Sequence, residues 1–370
     1  MNITYIISDI NKALAFEWIA QHLSNAEFKL SFILILQEPA ALEQVLRQLN
    51  IPCQVLYYSS KKDLPNVFWR VCRQLRKTKP DAVHCHLLYG SLIGLTAAKL
   101  AGIKKRIYTR HHSDYHQRYF PKGIKWDKWC NKLATIIVAP SQAVQEVLTN
   151  YENVPVGKIR IIHHGFDLAY FENVSPARVA TLKEKYNIGN HAPVVGVISR
   201  FTELKGIQYI IPAFQKFVSV YPDAVLMLFN ANGDYKRQII DQLAAIPAAN
   251  YRLVPFETDL AAAYQLFHIF IQASTDRTIE AFGQTYVEAL AAGVPSIFTL
   301  SGIAPDFVVD KRNAWVVPYK DSNAIYQRME EMLMDYKIAK DIAKQGKKDV
   351  QEKFALNKMV KSLEELYARN

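Results

Sequence analysis

The segment EAFGQTYVEALAAGVPSIF, residues 280–298, decides the fold of this 370-residue chain. It predicts a helix over 284–292 that stops at Gly293, and a strand over 295–299 that begins at Pro295. A helix that leads directly into an apolar strand is half of the repeating unit of a parallel β-sheet. The segment therefore indicates an α/β protein with crossover helices.

The same alternation extends outward from this segment. Two successive series of strands and helices predict two doubly wound parallel sheets, with a ligand cleft at the carboxyl ends of their strands. The predicted strands are 3–7, 31–36, 81–85, 106–109 and 135–139, then 193–198, 224–229, 251–254, 268–271, 295–299 and 314–317. The predicted helices are 12–23, 40–49, 66–77, 90–101 and 141–149, then 206–219, 234–244, 259–266, 284–292 and 322–334.

The break between the two series lies in residues 163–190, which lack a strong apolar period. We therefore predict an N-terminal domain over 1–165 and a second domain over 166–350. Residues 351–370 are predicted to form a tail helix, because Phe354, Met359 and Leu363 follow roughly helical spacing. The tail either covers the core of the second domain or crosses back onto the first, and we take the second interpretation.

The composition excludes several classes of protein. No apolar run reaches the roughly 18 residues that suggest a membrane span. The first strand meets Asp9 without a preceding basic segment, so no signal peptide is predicted. The four cysteines form no Cys-x-x-Cys pair and are expected to be reduced thiols. We expect a cytoplasmic protein, either free or peripheral on the inner face of the membrane.

The net charge of +11 is confined to one half of the chain. Residues 1–165 hold 22 Lys and Arg against 11 Asp and Glu, whereas the remainder holds 23 of each. One-sided charge indicates an anionic partner. Aromatic residues accompany the basic ones, as in Lys125-Trp-Asp-Lys-Trp129, which favours an anionic membrane surface. Solvated faces with core aromatics are the alternative interpretation.

Two carboxylates, Glu280 and Glu288, flank the start of the helix predicted at 284–292. Gly283 precedes this helix, and the N–H groups of Gln284 and Thr285 in its first turn have no acceptor within the helix. Such a helix start binds anions. The arrangement suits a nucleotide sugar, whose hydroxyls lie on both sides of a diphosphate.

A second polar segment, Ser199-Arg-Phe-Thr-Glu-Leu-Lys-Gly206, follows the strand 193–198. Its cations, Arg200 and Lys205, stand five residues apart. A planar guanidinium fork and an ammonium point charge together suit a diphosphate and would stabilise a phosphate leaving group. Each pair of charged residues, taken alone, is also compatible with ordinary surface charges.

In order and spacing, these segments resemble the donor-binding domain of glycosyltransferase family 4, and the resemblance extends over nearly the whole chain. Two segments depart from the family pattern: His164 replaces an Asn, and Ile303 and Asp306 replace a Gly and a Glu. The pieces that carry the resemblance are Glu280-x7-Glu288, the Ser-Arg-x4-Lys-Gly loop 199–206, the Ala-x-Gly-x-Pro turn 291–295, His163-His-Gly-Phe-Asp167 and Gly302-Ile-Ala-Pro-Asp306.

The resemblance implies the GT-B fold, in which two Rossmann-like doubly wound domains face a central cleft. It also implies retaining transfer of a hexose-type sugar from a nucleotide-sugar donor to a glycan or lipid-linked acceptor, in cell-envelope polysaccharide or glycoconjugate synthesis. It argues against a nucleic-acid partner.

The resemblance assigns roles to the donor-side residues. Arg200 and Lys205 would hold the donor diphosphate. Glu280 would bind the transferred sugar and Glu288 the ribose. The backbone that would line the sugar and phosphate pocket comprises Gly302, Ile303 and Ala304.

The acceptor side carries histidines. Thr109-Arg-His-His112 corresponds to the family's Thr-x-His segment, which places His111 near the reacting sugar with His112 in reserve. A His there can donate to a sugar hydroxyl or a phosphate oxygen, and a loop His with no task is the alternative. His84 and His86 share one face of the strand 81–85. No third metal ligand follows at a suggestive spacing. For His84 and His86 we therefore prefer a buried structural role, or a place beside the cleft, over a metal site.

The first strand-to-helix loop departs from the family. It lacks the Gly that often allows close approach to the diphosphate, so its side chains would block that approach. The loop could move on binding, or three of its side chains could replace the lost contacts: Ser8, Asn11 and Lys12.

The sequence contains no Asp-x-Asp pair, so we expect neither a metal ion nor a cofactor. The resemblance implies front-face transfer, in which the leaving phosphate helps to deprotonate the acceptor hydroxyl. Two alternatives share the fold: an epimerase or hydrolase of nucleotide sugars, and a non-catalytic nucleotide-sugar-binding protein.

Overall fold

The computed structural model describes residues 1–10, 14–25, 27–189 and 191–369. The chain divides into two compact units. Unit 1 comprises Met1–Phe166 and Leu356–Asn370, and unit 2 comprises Asp167–Ala355. The chain therefore leaves unit 1 after Phe166, completes unit 2, and returns to unit 1 with its last helix.

Every strand pair in both units is parallel. The strands of unit 1 are β1 (Asn2–Ser8), β2 (Lys29–Leu36), β3 (Cys53–Tyr57), β4 (Ala82–His86), β5 (Lys105–Thr109), β6 (Ile136–Ala139) and β7 (Ile159–Ile161). Those of unit 2 are β8 (Val194–Ile198), β9 (Val225–Phe229), β10 (Tyr251–Val254), β11 (Ile269–Gln272), β12 (Ser296–Phe298) and β13 (Trp315–Val316).

The helices of unit 1, apart from the last helix of the chain, are α1 (Leu14–Leu23), α2 (Ala41–Gln48), α3 (Leu64–Thr78), α4 (Leu88–Leu100), α5 (Tyr115–Arg118), α6 (Ile124–Leu133) and α7 (Gln142–Asn150). Those of unit 2 are α8 (Ala169–Glu172), α9 (Pro176–Lys185), α10 (Ile207–Val220), α11 (Lys236–Leu243), α12 (Leu260–Tyr264), α13 (Gln284–Ala291), α14 (Ser322–Met334) and α15 (Tyr336–Phe354). The last helix of the chain is α16 (Leu356–Ala368).

The two sheets have the doubly wound strand orders expected from the sequence. In unit 1 the order is β3-β2-β1-β4-β5-β6-β7, and in unit 2 it is β10-β9-β8-β11-β12-β13. The strand order reverses beside β1 in unit 1 and beside β8 in unit 2. Ligands of doubly wound sheets bind at such switch points, outside the carboxyl ends of the strands. Each unit therefore has one crevice in which functional side chains are expected.

Helix α16 belongs to the core of unit 1. It begins at Leu356 because the backbone of Ala355 is extended, with φ −60° and ψ 139°. Met359 and Leu363 pack against residues of β1 and β2 in one apolar cluster. The Oη atoms of Tyr367 and Tyr5 lie 2.6 Å apart, so the helix is also joined to the sheet by a buried hydrogen bond. Residues 351–354, which the sequence assigned to the tail helix, form the end of α15 in unit 2.

Candidate active site

The loop between β8 and α10 carries Arg200 and Lys205 in unit 2. It ends at Gly206, where φ is 72° and an added Cβ would lie 1.8 Å from the carbonyl oxygen of Ala273, so only glycine fits there. Arg200 is exposed, and within the described residues its guanidinium has no ion pair. The guanidinium of Arg200 is therefore available to bind an anionic ligand.

Lys205 forms a short ion pair with Glu280. Its Nζ lies 2.5 Å from Glu280 Oε1, which also accepts hydrogen bonds from Ser274 Oγ at 2.7 Å and Gln272 Nε2 at 3.2 Å. Burial alone would raise the pKa of Glu280, but Lys205 and these donors lower it below its ordinary value. The carboxylate is therefore ionised at neutral pH and fixes the position of the lysine.

Glu288 has a different environment on α13. Its Oε2 accepts a hydrogen bond from Tyr264 Oη at 2.8 Å, and no cation pairs with it within the described ranges. Burial raises the pKa of Glu288 to about 7, although the Tyr264 hydrogen bond acts in the opposite direction. Near neutral pH this side chain therefore exists in both protonation states.

Helix α13 begins at Gln284, directly after Gly283. Gln284 is exposed, whereas Thr285 Oγ1 donates to Gln272 Oε1 at 3.3 Å. Because the Gln272 amide also donates to Glu280, one side chain connects the helix start to that carboxylate. The structure thus connects three of the predicted donor-side groups: Lys205, Glu280 and Thr285.

The loop at Gly302 packs closely against Glu280. Gly302 has φ 60°, and an added Cβ would lie 2.6 Å from Glu280 Cβ. The amides of Gly302, Ile303 and Ala304 already donate to the carbonyl oxygens of Arg277, Phe282 and Ser301. Contact with a diphosphate through these amides would require those hydrogen bonds to open, and both Ile303 and Ala304 are fully buried.

The first loop of unit 1 is only partly described. Ser8 is fully buried at the end of β1, and its Oγ has no hydrogen-bond partner in the described part of the chain. Asp9 accepts a hydrogen bond from Tyr58 Oη at 2.6 Å. Asn11 and Lys12, which the sequence also proposed for this loop, lie outside the described residues.

His111 lies two residues beyond β5 and faces the end of β4. Its Nε2 is 3.0 Å from Nδ1 of His86, and its ring lies parallel to that of His164 with centroids 6.0 Å apart. Burial lowers the pKa of His111 to about 3 and that of His164 to about 4. These rings are therefore neutral at physiological pH.

His112 belongs to a different network, centred on buried Arg110. Arg110 is 1% exposed and contacts Asp127 at 3.0 Å and Glu152 at 2.5 Å. His112 Nε2 lies 3.2 Å from Asp127 Oδ1, and His116 Nδ1 lies 2.6 Å from Asp127 Oδ2. Burial alone would raise the pKa of Asp127, but its histidine and arginine partners lower it.

Three groups of this network could hold a metal ion. The ligand atoms of His112, His116 and Asp127 lie within 4.8 Å of one another. Both oxygens of Asp127 already contact the histidines, and Arg110 adds a positive charge 3.0 Å away. Both carboxylate oxygens of Asp127 are therefore already engaged by cationic or hydrogen-bonding neighbours. The other histidine pair considered from the sequence is His84 and His86. His84 makes hydrogen bonds with Tyr367 and Thr109 in the interior.

A pocket of about 200 Å³ opens beside this network within unit 1. Its walls combine apolar side chains with polar groups. Leu87 and Leu88 come from the start of α4, and Trp126 and Asp127 come from α6. His111 and His112 complete the polar side.

Several neighbours of the candidate residues were not predicted from the sequence. Gln272 and Ser274 were detectable in principle, since they are polar residues directly at the end of an apolar strand. Glu152 gives no such signal, because it lies 42 residues from Arg110 and meets it only in the folded chain.

Two family models match the chain. Residues 19–170 match the model described as Glycosyltransferase Family 4, and residues 179–349 match that of Glycosyl transferases group 1. The chain belongs to the family-4-type glycosyltransferases. Within the described ranges of this glycosyltransferase, no helix combines the length and apolar character that a membrane span requires.

Two relatives match this glycosyltransferase over most of their length. The α-monoglucosyldiacylglycerol synthase of Acholeplasma laidlawii is 28% identical over 286 residues, which cover 72% of this chain and 70% of the relative. The capsular polysaccharide biosynthesis glycosyltransferase CapM of Staphylococcus aureus is 27% identical over 303 residues, covering 79% and 77%.

The solved structure of Anabaena HepE with UDP and glucose has the same architecture. Its TM-score is 0.85 at 18% identity, with 100% of both chains covered. This family-4-type glycosyltransferase therefore has the GT-B fold.

Proposed function

We propose that this glycosyltransferase transfers a hexose-type sugar from a nucleotide-sugar donor to a hydroxyl of a glycan or lipid-linked acceptor, with retention of configuration. The observation that carries the proposal is the Lys205–Glu280 pair of unit 2, with exposed Arg200 on the same loop as Lys205. A diphosphate needs such cations, and a sugar needs such a carboxylate. The relatives act in glycolipid and capsular polysaccharide synthesis according to their names, which supports an envelope acceptor.

In this proposal the donor binds to unit 2. Arg200 and Lys205 neutralise the diphosphate and the charge that develops as it leaves. Glu280 accepts hydrogen bonds from the transferred sugar, and Glu288 accepts them from the ribose. UDP-glucose is the first donor to test, because HepE has been solved with it.

The proposed reaction needs no metal ion. The cations of the β8–α10 loop and the amides at the start of α13 take the role that a divalent ion has in other glycosyltransferases. The cluster of His112, His116 and Asp127 is the place to examine if activity proves metal-dependent.

The acceptor is proposed to enter the pocket of unit 1. Trp126 offers an aromatic face for a sugar ring, and His112, whose side chain is 30% exposed, offers a polar ring to hydroxyls. Replacement of Trp126 by Ala should raise the acceptor KM and leave the donor Kd unchanged. An unchanged acceptor KM would place the acceptor elsewhere.

One incubation distinguishes the proposal from its alternatives. The protein is mixed with UDP-glucose and either dioleoylglycerol or octyl β-glucoside, with and without EDTA, and products are analysed by NMR. We expect transfer to give an α-glucoside, both with and without EDTA. A β-linkage would refute retention, and loss of activity in EDTA with recovery in magnesium would refute metal independence.

The same incubation without acceptor tests the other functions. A hydrolase or epimerase would consume UDP-glucose without an acceptor, whereas a non-catalytic binding protein would raise its melting temperature with the donor and form no product. Our proposal requires consumption that depends on the acceptor.

We further propose that unit 1 docks on an anionic bilayer. Helix α4 packs against both α3 and α6, so these three helices form one layer. Residues 61–132, which contain this layer, hold 17 Lys and Arg against four Asp and Glu. The basic face is defined by exposed residues of α3 and α6: Trp69, Arg70, Arg73, Arg76, Lys77, Lys125, Lys128, Trp129 and Lys132.

The chemistry of the basic face supports a lipid surface. Trp69 is 61% exposed and Trp129 is 46% exposed, and aromatic rings beside basic residues suit the headgroup region. Co-sedimentation with phosphatidylglycerol vesicles should therefore deplete the supernatant and weaken as salt rises. Equal recovery with anionic and neutral vesicles at low salt would refute the docking and favour a soluble acceptor.

A further inference from the structure

The His86–His111 contact is a hydrogen bond between two imidazole rings. It joins His86 Nδ1 to His111 Nε2 at 3.0 Å, where the ends of β4 and β5 are neighbours. A neutral imidazole carries one N–H and one bare nitrogen, so one ring must donate and the other must accept. The direction of this hydrogen bond therefore determines whether the second ring nitrogen of His111, Nδ1, is an N–H donor or a bare acceptor toward a substrate.

The surroundings of His86 decide between the two possibilities. Its ring is 3% exposed, stacks on Tyr5 with centroids 5.4 Å apart, and meets the ring of Phe16 edge-on at 4.8 Å. Its second nitrogen, Nε2, is buried and has no hydrogen-bond partner in the described part of the chain. A buried N–H without an acceptor is rarer in proteins than an unpaired acceptor. The proton of His86 is therefore expected on Nδ1, inside the hydrogen bond.

The consequence for His111 follows from the same proton count. If His86 Nδ1 donates, His111 Nε2 accepts and carries no proton. Burial lowers the pKa of both rings, that of His111 to about 3, so neither ring gains a second proton at neutral pH. The single proton of His111 is then on Nδ1, which has no partner among the described residues.

We propose that His86 is a positioning residue that holds His111 in the Nδ1–H tautomer, so that His111 meets the substrate as a hydrogen-bond donor and not as a proton acceptor. The parallel ring of His164, 6.0 Å from His111, supports the same ring orientation. This inference rests on the proposed function. It agrees with front-face transfer, in which the leaving phosphate takes the acceptor proton and no side-chain base is required.

The tautomer can be measured directly on the full-length protein without substrate. Two-bond nitrogen–proton correlation spectra of ¹⁵N-histidine-labelled protein distinguish the tautomers, and loss of a signal set in His111→Gln assigns His111. We expect a protonated Nδ1 and a bare Nε2 for His111 at pH 7.5. The reverse pattern would overturn the proposal, whether or not the protein transfers sugar.

Three variants separate positioning from packing. His86→Leu removes the donor, so His111 should shift toward the Nε2–H form and kcat should fall at least tenfold with little change in KM. His86→Asn keeps an N–H near the position of Nδ1. It should therefore retain most of the wild-type kcat and the Nδ1–H tautomer of His111. Phe16→Leu alters the packing of both rings without removing a hydrogen bond, so the tautomer should not change.

The outcomes are decisive in each case. Equal activity and equal tautomer populations in His86→Leu and His86→Asn would reduce His86 to a packing residue. If His86→Leu fails to fold, the wild-type and His86→Asn spectra still decide the tautomer. Absence of transfer by the wild-type protein, with the expected tautomer present, would refute the proposed function and leave the His86–His111 assignment intact.

Discussion

The two units share an architecture but use charge in opposite ways. Unit 1 carries 25 Lys and Arg against 13 Asp and Glu, and unit 2 carries 20 against 21. In unit 1 the charged site residues are enclosed, since the side chains of Arg110 and Glu152 are each 1% exposed. In unit 2 the Lys205 side chain keeps 23% exposure and Arg200 is open. The unit with the large positive net charge therefore encloses these ions, whereas the nearly neutral unit keeps cations accessible to solvent.

The contrast has a physical explanation. Ions that are enclosed and paired maintain the structure, because removal of one partner leaves an uncompensated charge in the interior. Ions that remain partly open can exchange their partners for a ligand. Our proposal therefore divides the roles of the ions: unit 1 uses its interior ions for structure and its surface cations for docking, whereas unit 2 uses a few open cations for the donor.

The largest effect is expected from the enclosed ions. Arg110→Met leaves Asp127 and Glu152 buried without their cation, and should lower the free energy of unfolding by about 3–5 kcal/mol. The matched control is Arg178→Met in unit 2, where the side chain is 38% exposed and pairs with Asp259. That change should cost at most about 1 kcal/mol. Urea unfolding followed by circular dichroism measures both, and similar losses would contradict the division.

The next effect concerns catalysis in unit 2. Arg200→Ala and Lys205→Ala should each lower kcat by about 100-fold or more, because each removes a cation that we propose to stabilise the leaving diphosphate. Lys216→Ala changes an exposed lysine of α10 and should retain full activity. Near-normal transfer by both site variants would exclude this loop from the donor site. Arg200→Ala is the cleaner test, since Lys205→Ala also leaves Glu280 without its partner.

The strands of unit 2 show how much the sequence could predict. All six lie within one residue of their predicted ends. The central parallel strands, such as Val225–Phe229, are the clearest cases, because they are buried on both faces and form continuous apolar runs. Two strands of unit 1 were missed, Cys53–Tyr57 and Ile159–Ile161. Both are edge strands with exposed positions, so their sequences lack a clear apolar pattern.

The helix at Pro176–Lys185 was missed for a related reason. It buries only Leu182, and the sequence therefore shows no amphipathic period in a region interpreted as a hinge. At the candidate site, the sequence singled out Lys205 and Glu280, and the structure adds the ion pair between them. The bond between His86 and His111 could not be predicted, because it depends on the register in which His86 pairs with Thr109.

A smaller effect is expected from the pH dependence of donor binding. The pKa of Glu288 is about 7, so the side chain is mostly protonated at pH 6 and mostly ionised at pH 8. If the carboxylate accepts hydrogen bonds from the ribose, the affinity for UDP-glucose should rise up to roughly tenfold between these pH values. Calorimetry should give a flat profile for Glu288→Gln. If the affinity for UDP-glucose changes equally with pH in wild type and variant, Glu288 does not bind the ribose.

The same group affects stability with the opposite sign. Because its pKa is raised on folding, Glu288 ionises more readily in the unfolded chain, so its contribution to the free energy of unfolding is lost as pH rises from about 4.5 to 7. Glu288→Gln removes this ionisation. We expect the variant to gain stability relative to wild type between pH 5 and pH 8, as measured by urea unfolding at several pH values.

The smallest effect is expected on the basic face of unit 1. Arg73 is exposed on α3, and one basic residue near an anionic leaflet contributes about 1 kcal/mol, so Arg73→Ala should weaken binding to phosphatidylglycerol vesicles roughly fivefold. Arg237→Ala removes an exposed arginine from α11 of unit 2 and matches the change in net charge. If net charge alone drives binding, both variants weaken it equally, which would contradict a defined docking face. If the face is correct, only Arg73→Ala weakens binding, and the difference disappears at high salt, where the headgroup charge is screened.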